Sequence, residues 1–144
     1  MTTVLTRMVA RALLAPVLAV AAAILIKGYA DVGDGFAAGI VAALGILLQY
    51  AAFGRAAVAG SLPVARAPVL ALAGLALAVA VALVPALRGR ALLEHVPGAG
   101  EAVVHVGTLE LITPVAFDLG VFALVLGSAV AIVDMVAASE DEDE

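Results

Sequence analysis

Apolar residues fall into four long blocks, from about Val9 to Ile26, Phe36 to Phe53, Pro68 to Leu87 and Pro114 to Val133. A helix crossing about 30 Å of hydrocarbon needs roughly 20 mainly apolar residues. Each block is apolar all round, without the alternation of a barrel strand. In lipid a spanning segment must satisfy its backbone groups within itself, which selects α-helix. The pattern predicts an all-α integral membrane protein with four transmembrane helices, short loops and an acidic C-terminal tail. It forms one membrane domain over residues 1–137, with the tail at 138–144.

The first block follows Arg7 and Arg11 and contains Ala21-x-Ala23, which resembles a signal-cleavage site. The apolar run continues through that site to Ile26, so the first helix is expected to stay.

Composition sharpens this picture. The chain is 65% hydrophobic and 13% charged, too few polar side chains to cover a water-facing surface. Its formal charge of −5 comes from the last five residues, "EDEDE". No basic surface for nucleic acid remains. With no cysteine and two histidines, the chain predicts no disulfide, cluster, haem or metal site and no cofactor. Four spans put both termini on one side, with Arg7, Arg11, Arg55 and Arg66 against Lys27, Arg88 and Arg90. Positive charge favours the cytoplasm, so the expected location is the cell inner membrane with cytoplasmic termini.

The polar residues near the spans carry the candidate chemistry. Asp118 follows Thr113, a possible helix cap, and Pro114, which suits a first helical position. That puts Asp118 about 6 Å inside the fourth helix. Ionisable groups at such depth usually face protein or water and mark ion routes. An interfacial acid steadied by the helix dipole is the alternative. If Pro114 only kinks a longer helix, Glu110 lies two turns before Asp118 on roughly the same side; otherwise it sits in an interfacial segment. His105 joins either arrangement as a possible proton carrier. His95 reads as solvated, and Asp134 as an exposed acid at a helix end. Residues 88–107 have length for a short surface helix and loop, whose Leu92, Leu93, Val96, Val103 and Val104 would rest on the membrane or a partner.

The other polar cluster is "IKGYADVGDGFAAG" between the first two blocks. Lys27 and Asp31 suggest a neutralising pair, and Asp34 suits the cap of the second helix. Gly33 and Gly35 permit a tight bend. Gly35-x-x-x-Gly39 offers a small-residue helix-contact face, expected to lie against a partner subunit. Phe36 and Phe53, with Tyr50 nearby, bracket the second span as a thin aromatic belt.

"KGYADVGDGFAAG" and "GTLELITPVAFDLGVF" together resemble the B subunit of Mrp-type (Mnh) multisubunit sodium/proton antiporters. The family's first motif commonly reads G-H-x-x-P-G-G-G-F-x-G-G. Gly28, Gly33, Gly35, Phe36 and Gly39 match it, while Tyr29, Val32, Asp34 and Ala38 stand where it has a His, a Pro and two Gly. Gly107, Glu110, Leu111, Thr113, Phe117, Asp118, Leu119, Gly120 and Val121 match the second. The resemblance implies a non-catalytic subunit in a complex of other hydrophobic subunits that exchanges Na⁺ for H⁺ across the bilayer. Its ion- or proton-route candidates are Asp118, Glu110, Thr113, Asp34 and Lys27. Related subunits occur in complex I-like redox assemblies such as membrane-bound hydrogenases, which is the runner-up. A stand-alone small multidrug transporter fits less well, since the first span carries no acid. A purely structural role for the carboxylates fits either complex.

Overall fold

The computed structural model describes residues 3–28, 33–89, 91–92, 105–106, 109–110 and 113–142. Asp31, His95, Leu93, Val96, Val103 and Val104 lie outside them, as do the side chains of His105 and Glu110. The elements are α1 (Val4–Lys27), α2 (Gly35–Phe53), α3 (Arg55–Ser61), a 3₁₀ turn at Val64–Arg66, α4 (Ala67–Leu87), the two-residue strands β1 (His105–Val106) and β2 (Leu109–Glu110), and α5 (Thr113–Glu142). Among the described residues four helical stretches are long and apolar enough to cross a membrane, and they overlap the four blocks.

The ends differ from expectation for local reasons. α1 starts at Val4 because the Thr3 hydroxyl accepts a hydrogen bond from the Thr6 N–H at 3.2 Å, capping the helix before the apolar block begins. α5 starts at Thr113 and runs to Glu142, so most of the stretch read as an acidic tail continues as helix. Extending an existing helix adds a hydrogen bond per residue without a new nucleus. Gly54, with φ of 79°, ends α2 and lets the chain turn into α3. That short helix falls between blocks and carries too few apolar residues to stand out in the sequence.

The helices are laid out as an open row. α2 packs against α1 on one side and α5 on the other, α4 packs against the far side of α5, and α1 reaches α5 only marginally. Among the described residues α4 touches neither α1 nor α2. The α4–α5 seam is built from small residues. A Cβ on Gly74 would run into the backbone of Gly120, Ala123 and Leu124, and one on Gly127 into that of Ala67 and Ala71. A Cβ on Gly120 would come within 2.9 Å of Ala78 N and Gly74 O. In lipid, where no hydrophobic force separates protein from tails, such close backbone packing supplies the attraction. A compact cluster of Tyr50, Val58, Val64, Ala67 and Val130 closes the end of the row where α2, α3 and α5 meet. Tyr50 therefore belongs to the core and not to an aromatic belt.

Candidate functional site

Two polar clusters lie at opposite ends of the α2–α5 contact. The first surrounds Asp118, just inside α5. Asp118 is 6% exposed, and its Oδ2 accepts a hydrogen bond from the Gly33 N–H at 2.8 Å. Gly33 holds φ at 118°, a backbone state that side-chain-bearing residues rarely adopt, and this turns its N–H toward α5. Gly28 completes the pocket. A Cβ there would sit 3.3 Å from Asp118 Oδ2 and 3.2 Å from the Cβ of Asp34, so two carboxylate residues from separate helices converge around one glycine.

Asp34 occupies the residue before α2 but makes no capping bond with its side chain. It instead accepts from Lys27 Nζ at 2.9 Å, in an ion pair that is 65% exposed on the lysine side. The cap expected at Asp34 thus gives way to a bridge between the end of α1 and the start of α2. A full lysine charge attracts the carboxylate more strongly than a single backbone N–H does.

Gly35 and Gly39 lie buried on α2 and face α5 of the same chain. A Cβ on Gly35 would overlap the Asp118 backbone, and one on Gly39 would come within 2.9 Å of Val125 Cβ. The face expected to lie against a partner subunit is therefore filled from within. Close approach at Gly35 is also what sets Asp118 beside the α1–α2 turn.

Glu110 stands apart from this arrangement. Its backbone pairs with His105 in the β1–β2 register, ahead of the start of α5. The reading that places Glu110 two turns before Asp118 on one helix fails, because Thr113 and Pro114 open the helix. Proline suits the first turn of a helix, where its missing N–H costs nothing. Thr113 is itself the first helical residue and half-buried, one position later than a cap.

The second cluster was not legible in the sequence. Asp134, expected as an exposed acid, accepts at Oδ1 from the Tyr50 hydroxyl at 3.0 Å and from Arg55 Nε at 3.2 Å. The groups come from the end of α2, the start of α3 and the far part of α5. Sequence separations of 84 and 79 residues leave no local signal to find them. Buried Gln49 is another surprise: its amide donates to Ala10 O at 2.8 Å and Gly45 O at 3.3 Å, joining α2 to α1.

The two aspartates differ in what meets them. Asp134 faces a cation and a hydroxyl. Among the described residues, Asp118 receives its hydrogen bond from one neutral amide, and the nearest ion pair is already made between Lys27 and Asp34. No group of three or more potential metal-ligating acids, histidines or cysteines occurs among the described residues.

Comparison with protein families gives a match over residues 5–131 to a domain related to the MnhB subunit of Na⁺/H⁺ antiporters. No curated protein sequence matches the chain.

Proposed function

The chain belongs to the family related to the MnhB subunit of Na⁺/H⁺ antiporters, and from that premise we propose a role as a non-catalytic membrane subunit of a multisubunit cation/proton antiporter. In this role Asp118 lines a cation or proton route at the mouth of α2, with Lys27, Asp34 and Thr113 around its entrance. One observation carries the reading: among the described residues, a carboxylate that is 6% exposed accepts its hydrogen bond from a neutral N–H and not from a cation. Burying a carboxylate is costly unless it is paired or neutralised. A proton or a small cation supplies that neutralisation and can then be passed on. One acid is too little for a complete exchange cycle, so the route continues into neighbouring subunits. The open row of helices leaves wide apolar flanks for those neighbours. The protein is expected to cross the cell inner membrane with the arginine-bearing end, and so both termini, in the cytoplasm.

The test is cation/proton exchange in everted vesicles bearing the complex with Asp118→Asn. That substitution keeps an oxygen to accept the Gly33 N–H while removing the exchangeable charge. Exchange is expected to fall by about tenfold or more, the scale of 1.4 kcal/mol in a barrier, with all subunits still co-purifying. Full exchange from an intact complex would rule the route out and leave Asp118 as a loop anchor. Redox subunits carrying nickel or iron–sulfur groups in the purified complex would move the chain to an energy-converting enzyme.

A further inference from the structure

We propose that Lys27 is a resident counter-cation for Asp118: it rests on Asp34 while Asp118 holds a transported Na⁺, and it moves onto Asp118 as the ion leaves. Lys27 then competes with the ion and sets how tightly the site holds it. The inference rests on the reading of Asp118 as part of a route, and it takes the ion on that route to be the cation.

Three charged groups converge around one residue that has no side chain. A Cβ on Gly28 would sit 3.3 Å from Asp118 Oδ2 and 3.2 Å from Asp34 Cβ. Gly28 has φ of −57°, a backbone state open to any residue, so its conformation does not call for glycine. The close approach of the two acids does. Lys27 is the residue before it and the last of α1. Neighbouring Cα atoms are about 3.8 Å apart, which puts Asp118 Oδ2 within about 9 Å of the Lys27 Cα. A lysine stem extends about 6 Å and its hydrogen bond adds about 3 Å. The ammonium that lies 2.9 Å from Asp34 Oδ2 is therefore on a stem long enough to reach Asp118 Oδ2 without either helix moving.

Exposure decides which acid can be left alone. The Asp34 side chain is 27% exposed at the mouth of α2, so water can hydrate it when the lysine departs. Asp118 is 6% exposed, and an ion leaving it would strand a buried charge, the costly case. An arriving ammonium keeps that carboxylate paired. The lysine side chain is 65% exposed, so most of its length is free of packing and moves at small cost. Its flexible stem and compact charge suit such a transfer, and the negative end of α1 keeps the ammonium close in both positions. The Gly33 N–H holds Oδ2 in place throughout. Asp34 serves as the resting place and not as a cap, since its side chain makes no capping bond.

The test is a double-mutant cycle on the whole complex in everted vesicles, reading the Na⁺ concentration at half-maximal exchange. Asp34→Asn removes the acid that holds the lysine, so Lys27 occupies Asp118 and the half-maximal concentration should rise by about tenfold, the scale of one hydrogen bond to a charged group. The same substitution in a Lys27→Gln background should shift it by less than about twofold, as an exposed charge some distance away does. Lys27→Gln alone should lower it. Equal fold-shifts from Asp34→Asn in the two backgrounds would reduce the effect to charge acting through space and overturn the proposal. No shift from Asp34→Asn overturns it as well. Neither substitution removes a helix cap, and co-purifying subunits report an intact complex. Asp34→Ser completes the cycle if the Asn variant does not assemble. Full exchange by Asp118→Asn overturns the route and this inference together. Loss of exchange there, with no coupling between Asp34 and Lys27, overturns this inference alone.

Discussion

Asp118 and Asp134 sit on the same helix, 16 residues apart, and each ties α5 to the neighbourhood of α2. They do so with opposite chemistry. Asp134 is met by the hydroxyl of Tyr50 and the guanidinium of Arg55. Its charge is compensated on the spot, so it serves as a tether. Asp118 is met by the backbone N–H of Gly33 in a space shaped by Gly28 and Gly35. Its charge is not compensated by a hydrogen-bonded cation among the described residues. The difference teaches that an acid in a membrane helix is not by itself a functional mark; the partner decides whether the charge is spent or available.

The largest effect that tests this contrast comes from Gly35→Leu. The new side chain would enter the Asp118 backbone, and overpacking of this kind costs about 3 kcal/mol. α2 should then separate from α5 at the Asp118 end, seen as loss of folded protein in detergent and loss of co-purifying subunits. Normal yield and normal unfolding would mean the two helices do not approach as closely as described.

Asp118→Asn comes next, with its expected tenfold or greater loss of exchange and little change in stability. Asp134→Ala is the reciprocal case. It removes an acceptor shared by Tyr50 and Arg55 and should lower stability by about 1–2 kcal/mol. Exchange per folded complex should hold. If instead Asp134→Ala abolished transport in a stable complex, the division between tether and route would be reversed. The smallest effect belongs to Lys27→Gln, since an exposed ion pair is worth about 0–1 kcal/mol and salt screens it. A thermal unfolding shift that disappears at high salt would identify the Lys27–Asp34 bridge as an ordinary surface pair. A loss of exchange without any such shift would instead place Lys27 on the route.

How much of the site was legible depends on range. Asp118, Gly33, Gly35 and Gly39 stood out because charge or repeated glycine is rare inside apolar sequence and each demands a local reason. The bend between the first two spans was readable for the same cause. That Gly35 and Gly39 face α5 and not a partner was not readable, since a small-residue face says only that something comes close. Tyr50, Arg55 and Asp134 gave no warning, because each has an innocent local reading as an interfacial aromatic, a flanking arginine or a terminal acid. Gln49 likewise hides inside "ILLQYAAF" until α1 lies beside it.

By itself the sequence determined which segments are long and apolar enough to cross a membrane. Hydropathy is a sum over neighbouring residues, and in lipid every crossing segment must close its own backbone hydrogen bonds. It also set where the chain bends, through glycines and prolines whose effect is local. Only the tertiary structure decided the order of the row, with α2 between α1 and α5 and α4 outermost. It alone decided which aspartate meets a cation and which meets an amide. Those outcomes rest on backbones meeting at particular glycines and alanines, and on partners some 80 residues apart whose pairing depends on that approach.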